Sequence, residues 1–269
     1  MSENDSKNDV ELATRSSLAR DLRALGIDAG DLVMAHTGVR SIGPILGGVS
    51  TLVQALLDVV AETGTLAAYV DWELGFDPDA TAPALADEVP AFDKRIARAA
   101  RAYGIFPEVL RTWPGSVRSD NPEAGVSAIG ARAAWLCADH ALSYGYGEAS
   151  PYAKIVEAKG KVLLLGAPLD TITLLHHAEH VARIPNKRIR RVRRKLLVAG
   201  APQWVDIEEY DTSVPVIEGL ADDFFARIAE VALAAGHGRH GKVGRADAYA
   251  FDAAALHATG VAWLESSCA

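Results

Sequence analysis

Apolar residues recur along this chain in two periods. "LVMAHT" (32–37), "TLAAYV" (65–70) and "KVLLLGA" (161–167) are unbroken apolar runs of strand length, the pattern of strands covered on both faces. In "TRSSLARDLRALGI", Leu18, Leu22 and Leu25 stand at helical spacing, with Thr14 or Ser16 as N-cap and a turn at "DAGD" beyond. "STLVQALLDVVAE" (50–62) predicts a second helix, capped by Ser50 or Thr51. Strand, helix, strand is the β-α-β rhythm of a three-layer α/β domain. Further on, the spacing predicts a helix in "GIFPEVLRTW" (104–113), a short strand in "VSAIG" (126–130) and a helix from Thr173 to about Ile184. "RRVRRKLLVAGAPQWVDIEEYD" reads as a strand pair turning at "GAP", followed by a helix near "ADDFFARIAEVALAAG" and a closing "AWLES". The expected fold is therefore α/β, a three-layer α/β/α domain around a central, mainly parallel or mixed sheet. No repeat and no boundary interrupts the pattern, so residues 12–269 are expected to form one domain behind a polar, disordered tail at 1–11. Periodicity fails in "DWELGFDPDATAPALADEVPAFD" (71–93), a stretch long enough to suggest a functional or disordered loop.

Composition narrows the class. Of 269 residues about half are apolar, enough for a substantial core. Two widely separated cysteines, Cys137 and Cys268, form no disulfide framework, which fits a reducing, cytoplasmic compartment. The polar start "MSENDSKNDVE" does not read as a signal peptide, and no apolar run approaches the roughly 20 residues of a membrane span. A formal charge of −8 disfavours nucleic acid as partner and attracts cations.

"LLHHAEHVARI" (174–184) concentrates the candidate chemistry. On a helix, His176, Glu179 and His180 share a face, and His177 points about a quarter-turn away. H-x-x-E-H is the pattern of a metallopeptidase group, so one reading is a zinc-dependent hydrolase using His176, Glu179 and His180. A second makes His176 a general base whose tautomer Glu179 fixes. A third is a polar helix without chemistry. "HTGVRSIGPILGGVSTL" (36–52) runs from a strand end through four glycines into a helix, a loop that admits an anion or merely turns, and it carries neither a Walker nor a G-x-G-x-x-G sequence. "NKRIRRVRRK" (186–195) holds seven basic residues in nine; a solvated edge strand accounts for it better than a nucleic-acid patch, because no aromatic residues are interleaved. Acids gather at Asp71, Glu73 and Asp77, at Asp170, and at Glu208, Glu209 and Asp211; where they converge they would make a cation-binding cleft.

In order along nearly the whole chain, "GDLVMAHTGVRSIGPILGGVSTL", "PAFD", "GIFPEVLRTWPGSVRSDNPEAGVSAIG", "YGYGEASP" and "GKVLLLGAPLDTITLLHHAEHVARIPNKR" resemble the aminoglycoside 3-N-acetyltransferase (antibiotic N-acetyltransferase) family. The resemblance implies a fold other than that of the GNAT acetyltransferases. It implies transfer of acetyl from acetyl-CoA to the 3-amino group of a 2-deoxystreptamine aminoglycoside, conferring resistance, with acetyl-CoA as co-substrate and no metal. The family's T-x-L-H-x-x-E segment falls on Thr173, Leu175, His176 and Glu179, which carries the catalytic roles onto His176 and Glu179. His36, Thr37, Gly38, Val39, Ser41, Ile42, Ser119, Ser127 and Thr173 are the expected CoA contacts. Asp71, Trp72, Glu73, Asp93, Asp170 and Asp211 are the expected acceptor contacts. The partners implied are a cationic aminoglycoside and acetyl-CoA, without nucleic acid or membrane, and a homodimer is admitted. Two positions depart from the family pattern: Thr37 and Gly38 stand where serines are usual, and Asn121 where histidine is common before Pro122.

Overall fold

The three apolar runs become neighbouring strands. A computed structural model describes residues 11–74 and 85–268; most of the 1–11 tail, and Asp77 of the acid clusters, lie outside these residues. β1 (Leu32–Thr37) pairs in parallel with β2 (Thr65–Tyr69) on one side and β5 (Lys161–Leu165) on the other. Antiparallel strands extend this centre in both directions. β4 (Val126–Gly130) and β3 (Val117–Arg118) lie beyond β2, while β9 (Ala246–Asp252) and β8 (Gly238–Val243) lie beyond β5. The order is β3-β4-β2-β1-β5-β9-β8, a mixed sheet with a parallel centre.

Alternation along the central strands feeds two cores. Val33, Leu163 and Leu165 pack with Leu18, Leu22, Leu52, Leu56 and Phe106, from α1 (Arg15–Ala24), α2 (Val49–Val60) and α3 (Phe106–Arg111). Met34, Val162 and Leu164 pack on the opposite face with the helices of the second half: α4 (Ala133–Cys137), α5 (Pro151–Glu157), α6 (Leu174–Val181), α7 (Phe224–Ala234) and α8 (Ala253–Ser266). Three layers result, and none of the helices in the described residues is long and apolar enough to cross a membrane.

Thr14 caps α1 through a capping box, its hydroxyl accepting from Ser17 N and the Ser17 hydroxyl from Thr14 N. The expected side-chain cap on α2 is replaced by backbone geometry. Gly47 and Gly48 both take left-handed φ (83° and 67°), so the helix begins earlier than expected, with Ser50 and Thr51 inside it. The Thr51 hydroxyl donates back to Leu46 O at 2.7 Å. α6 stops at Val181 rather than near Ile184, because Ala182 turns extended ahead of Pro185.

The arginine-rich segment forms its own two-stranded sheet, β6 (Ile189–Val198) with β7 (Ala201–Tyr210). It turns on Ala199 and Gly200, both at positive φ, one residue before the expected "GAP". β6 is not a free edge: Phe92 N donates to Lys195 O, and Leu197 N to Phe92 O. Its even positions face inward, where Val192, Arg194 and Leu196 are buried; Arg191 and Arg193 face out and pair with Glu208 and Asp206 on β7. The outward-facing arginines of β6 are thus paired across the ribbon.

Candidate active site

The carboxyl ends of β2, β1 and β5 open onto one cavity of about 860 Å³, the position where open α/β sheets offer a crevice. His36, Thr37 and Gly38 leave β1 into it, Tyr69, Asp71 and Trp72 leave β2, and Gly166 through Thr173 connect β5 to α6. The first turn of α6 brings His176 to the cavity wall. The β6–β7 hairpin adds Arg190, Arg194, Ile207 and Glu209.

His176 Nδ1 lies 2.6 Å from Glu179 Oε2, the i to i+3 contact that helical spacing predicts. Glu179 is buried behind the histidine at 2% exposure, whereas the His176 side chain keeps 27%. The imidazole is clamped between the rings of Tyr146 and Phe225, each centred 4.9 Å away. With Nδ1 engaged, Nε2 has no hydrogen-bonding partner among the described residues. An imidazole held in this way, facing a cavity, is equipped to accept a proton.

His180 serves a different carboxylate. Its Nε2 lies 2.9 Å from Glu209 Oε1, close enough for an ion pair but misaligned for a hydrogen bond. The two histidines of H-x-x-E-H are thus committed to two separate acids, and among the described residues no group of three or more His, Cys, Asp or Glu is arranged to hold a metal. His177 points elsewhere: its Nδ1 meets Tyr146 O at 2.8 Å, its ring stacks on His257, and burial lowers its pKa.

Around Gly38 the backbone is crowded. Gly38 N donates to Leu165 O, and a Cβ at this residue would fall 2.3 Å from Gly166 O, which accounts for glycine here. Beside it the Thr37 hydroxyl and His36 Nε2 are buried without hydrogen-bond partners, and desolvation pushes the His36 imidazole down to about 4. Orphaned polar atoms at a cavity wall are sites where a ligand can supply the missing partner. Thr173, at the start of α6, also lines the cavity and makes no side-chain cap bond.

The other expected CoA contacts lie off the cavity wall. Val39, Ser41 and Ile42 form the 3-10 turn after Gly38; Ile42 is buried in the core, and the exposed Ser41 hydroxyl approaches Gly166 O at 3.4 Å. Ser119 and Ser127 are fully buried. The Ser119 hydroxyl bonds His140 Nδ1 and accepts from Val126 N, and the Ser127 hydroxyl has no partner.

Of the expected acceptor contacts, Asp71, Trp72 and Asp170 line the cavity. Burial raises the Asp71 carboxyl to about 7, with the Glu123 charge adding to the rise, against opposing contributions from the Trp72 N–H, Arg118 and Arg194. Glu73 turns aside to accept from Arg101 N, Asp93 pairs with Arg95 and is held down at about 2, and Asp211 accepts from Ser213 N and Oγ. Thr212 and Ser213, the neighbours of Asp211, do line the wall.

Sequence reasoning missed Glu123 as a wall acid and passed over Glu209 in favour of Asp211. Glu209 is 6% exposed and accepts from Gly145 N and Tyr210 N. It also missed a cluster of tyrosines: Tyr69 donates to Glu123 O, its hydroxyl lies 3.3 Å from that of Tyr146, and Tyr103 packs edge-on against it. Alternation within β7 was the available signal for Glu209, since it shares a face with Ile207, opposite Glu208. Asn121 is a structural keystone, donating to Ala141 O and Leu142 O and accepting from Glu123 N and Ala124 N.

Comparison with known proteins adds a separate line of observation. The family model for aminoglycoside 3-N-acetyltransferase matches residues 34–265. An aminoglycoside N(3)-acetyltransferase III of Pseudomonas aeruginosa is 45% identical over 259 residues, covering 94% of this chain and 94% of the relative. Among solved structures, AAC-IIIb in a binary complex with CoASH aligns with a TM-score of 0.92 at 51% identity, over 96% of this chain and 98% of the other. Sisomicin-bound AAC-VIa aligns with a TM-score of 0.90 at 39% identity, over 96% and 100%.

Proposed function

Since the chain belongs to the aminoglycoside 3-N-acetyltransferase family, we propose that it transfers acetyl from acetyl-CoA to the 3-amino group of a 2-deoxystreptamine aminoglycoside, with His176 as general base. The observation that carries the base assignment is the His176–Glu179 contact, placed where the ring faces a cavity walled by acids. An aminoglycoside arrives as a polycation, and only a neutral amine attacks a thioester. Asp71, Asp170 and Glu209 supply negative charge to hold the rings. His176 Nε2 takes a proton from the 3-amino nitrogen as that nitrogen bonds to the acetyl carbonyl carbon. Glu179 stabilises the resulting imidazolium through Nδ1. The tetrahedral intermediate collapses with cleavage of the carbon–sulfur bond, and the proton leaves with CoA as its thiol.

The pantetheine arm is assigned to the Gly38 side. There Gly38 closes tightly on Gly166 O, and beside it the Thr37 hydroxyl at the cavity wall awaits a partner. Direct transfer is favoured over an acyl-enzyme: Cys137 is buried, with its thiol pushed up to about 12, which disfavours the thiolate that covalent chemistry requires. Dependence on acetyl-CoA, and the resistance function of such an activity, support a cytoplasmic location in this reading. The test is thiol release from acetyl-CoA with a panel of aminoglycosides, alongside growth of a susceptible bacterium expressing the gene. Turnover that falls about 10²–10⁴-fold in H176A is expected; full turnover in that variant would remove His176 from the mechanism.

A further inference from the structure

Glu123 is the only acid named above on the cavity wall whose two oxygens are already occupied by cations of the same chain. Arg190 Nη2 lies 2.8 Å from Oε2, and Arg194 Nε lies 2.6 Å from Oε1. Both arginines come from β6 and, like Glu123, line the cavity. The two pairs differ in exposure. The Arg194 side chain is 9% exposed and also donates to Arg193 O, so it is fixed in the wall. The Arg190 side chain is 43% exposed, and the Glu123 side chain 25%. An ion pair open to solvent to this degree is weak and readily exchanged. A guanidinium inside a cavity otherwise suited to a polycation repels its ligand while it stays and uncovers a carboxylate when it leaves.

We propose that Arg190 is a tethered cation that holds the Glu123 carboxylate until an ammonium group of the acceptor displaces it, making Arg190 a determinant of acceptor affinity and selectivity. The proposal rests on the reading above that the acceptor is an aminoglycoside. Displacement is an exchange of one cation for another. Acceptors with an ammonium group at the Glu123 seat gain a contact in return for the one broken, and acceptors with a hydroxyl there do not.

Arg191 provides the control. It is adjacent in sequence, carries the same charge and pairs with Glu208 at 2.7 Å, but its side chain is 79% exposed and does not line the cavity. Initial rates of thiol release are compared for wild type, R190Q, R190K, R191Q, E123Q and R190Q/E123Q. R190Q is expected to lower the acceptor KM about twofold to fivefold, the range set by a solvent-exposed ion pair. The change should appear in KM rather than kcat and should be absent in R190K, which keeps the charge. R191Q is expected to match wild type, and R190Q is expected to have no effect in the E123Q background. An acceptor KM in R190Q that is unmoved or raised overturns the proposal. So does an equal drop in R191Q, which would assign the effect to overall charge. If R190Q fails to fold, R190A against R190K makes the same comparison. Absence of turnover with every aminoglycoside in wild type overturns the functional reading itself, so the two failures are distinguishable.

Discussion

The strand ends around His176 and the β6–β7 hairpin build two walls of one cavity by different means. The first wall rests on strands β1 and β5, buried on both faces, and on a helix whose Leu174, Leu175 and Ala178 are fully enclosed. The second is a two-stranded ribbon with a small apolar seat, Phe92, Ala97 and Leu196, and much of its attachment is ionic. The His176–Glu179 pair stands on the well-packed wall, while the half-exposed Arg190 side chain stands on the ribbon and reaches across to Glu123. The difference is one of material: burial fixes position, and exposed charge pairs leave room for adjustment.

The largest expected effect tests the rigid wall. H176A should lose about 10²–10⁴-fold in kcat, with a lower thermal midpoint because the buried Glu179 loses its partner, and E179Q should lose less activity, because it removes the partner and not the base. A kcat loss below about tenfold in folded H176A would show that the ring is holding structure instead. Next in size, L163A should cost about 2–5 kcal/mol in denaturant unfolding, since Leu163 is fully buried under α1 and α2. L196A, at the small hairpin seat, should cost less and raise the acceptor KM; equal costs would erase the contrast between the two walls.

A pH experiment sharpens the comparison at Asp71. With its carboxyl raised to about 7, Asp71 is neutral below that pH and anionic above it. Acceptor binding should therefore strengthen as pH rises through about 7 in wild type relative to D71N. The stability effect has the opposite sign. A raised folded-state pKa favours the fold below about pH 4, and this advantage is lost as pH rises through about 7. D71N should flatten that decline in a series of thermal midpoints. Smallest is T37V, which should raise the acetyl-CoA KM about twofold to tenfold while leaving the ligand-free protein equally or more stable, since the deleted hydroxyl is buried without a partner.

The same contrast explains what could be read from the sequence. β1, β2 and β5 were legible because a strand covered on both faces is written as a continuous apolar run. The His176–Glu179 contact was legible because helical spacing alone brings i and i+3 together. The β8–β9 hairpin escaped: "GRHGKVGRADAYAFD" mixes glycine, charge and short apolar residues, and what makes it sheet is pairing with β5, distant in sequence. α8 escaped because its alanine-rich "AAALHATGVAWLES" carries no polar stripe to mark a helical period. Tyr69, Glu123, Tyr146 and Glu209, further members of the cavity wall, come from four separated segments, and no local pattern records that convergence.

Glu209 has a consequence for how such an enzyme can diversify. It stands on the ribbon yet accepts from Gly145 N and neighbours His180, one turn along from His176. Replacing it would strand an amide and an imidazole together in the interior, whereas the outward positions of β6 carry no such obligation. Change at the ribbon's cavity face is therefore easiest at the half-exposed Arg190, with one buried carboxylate acting as the rivet that limits how far the ribbon can wander.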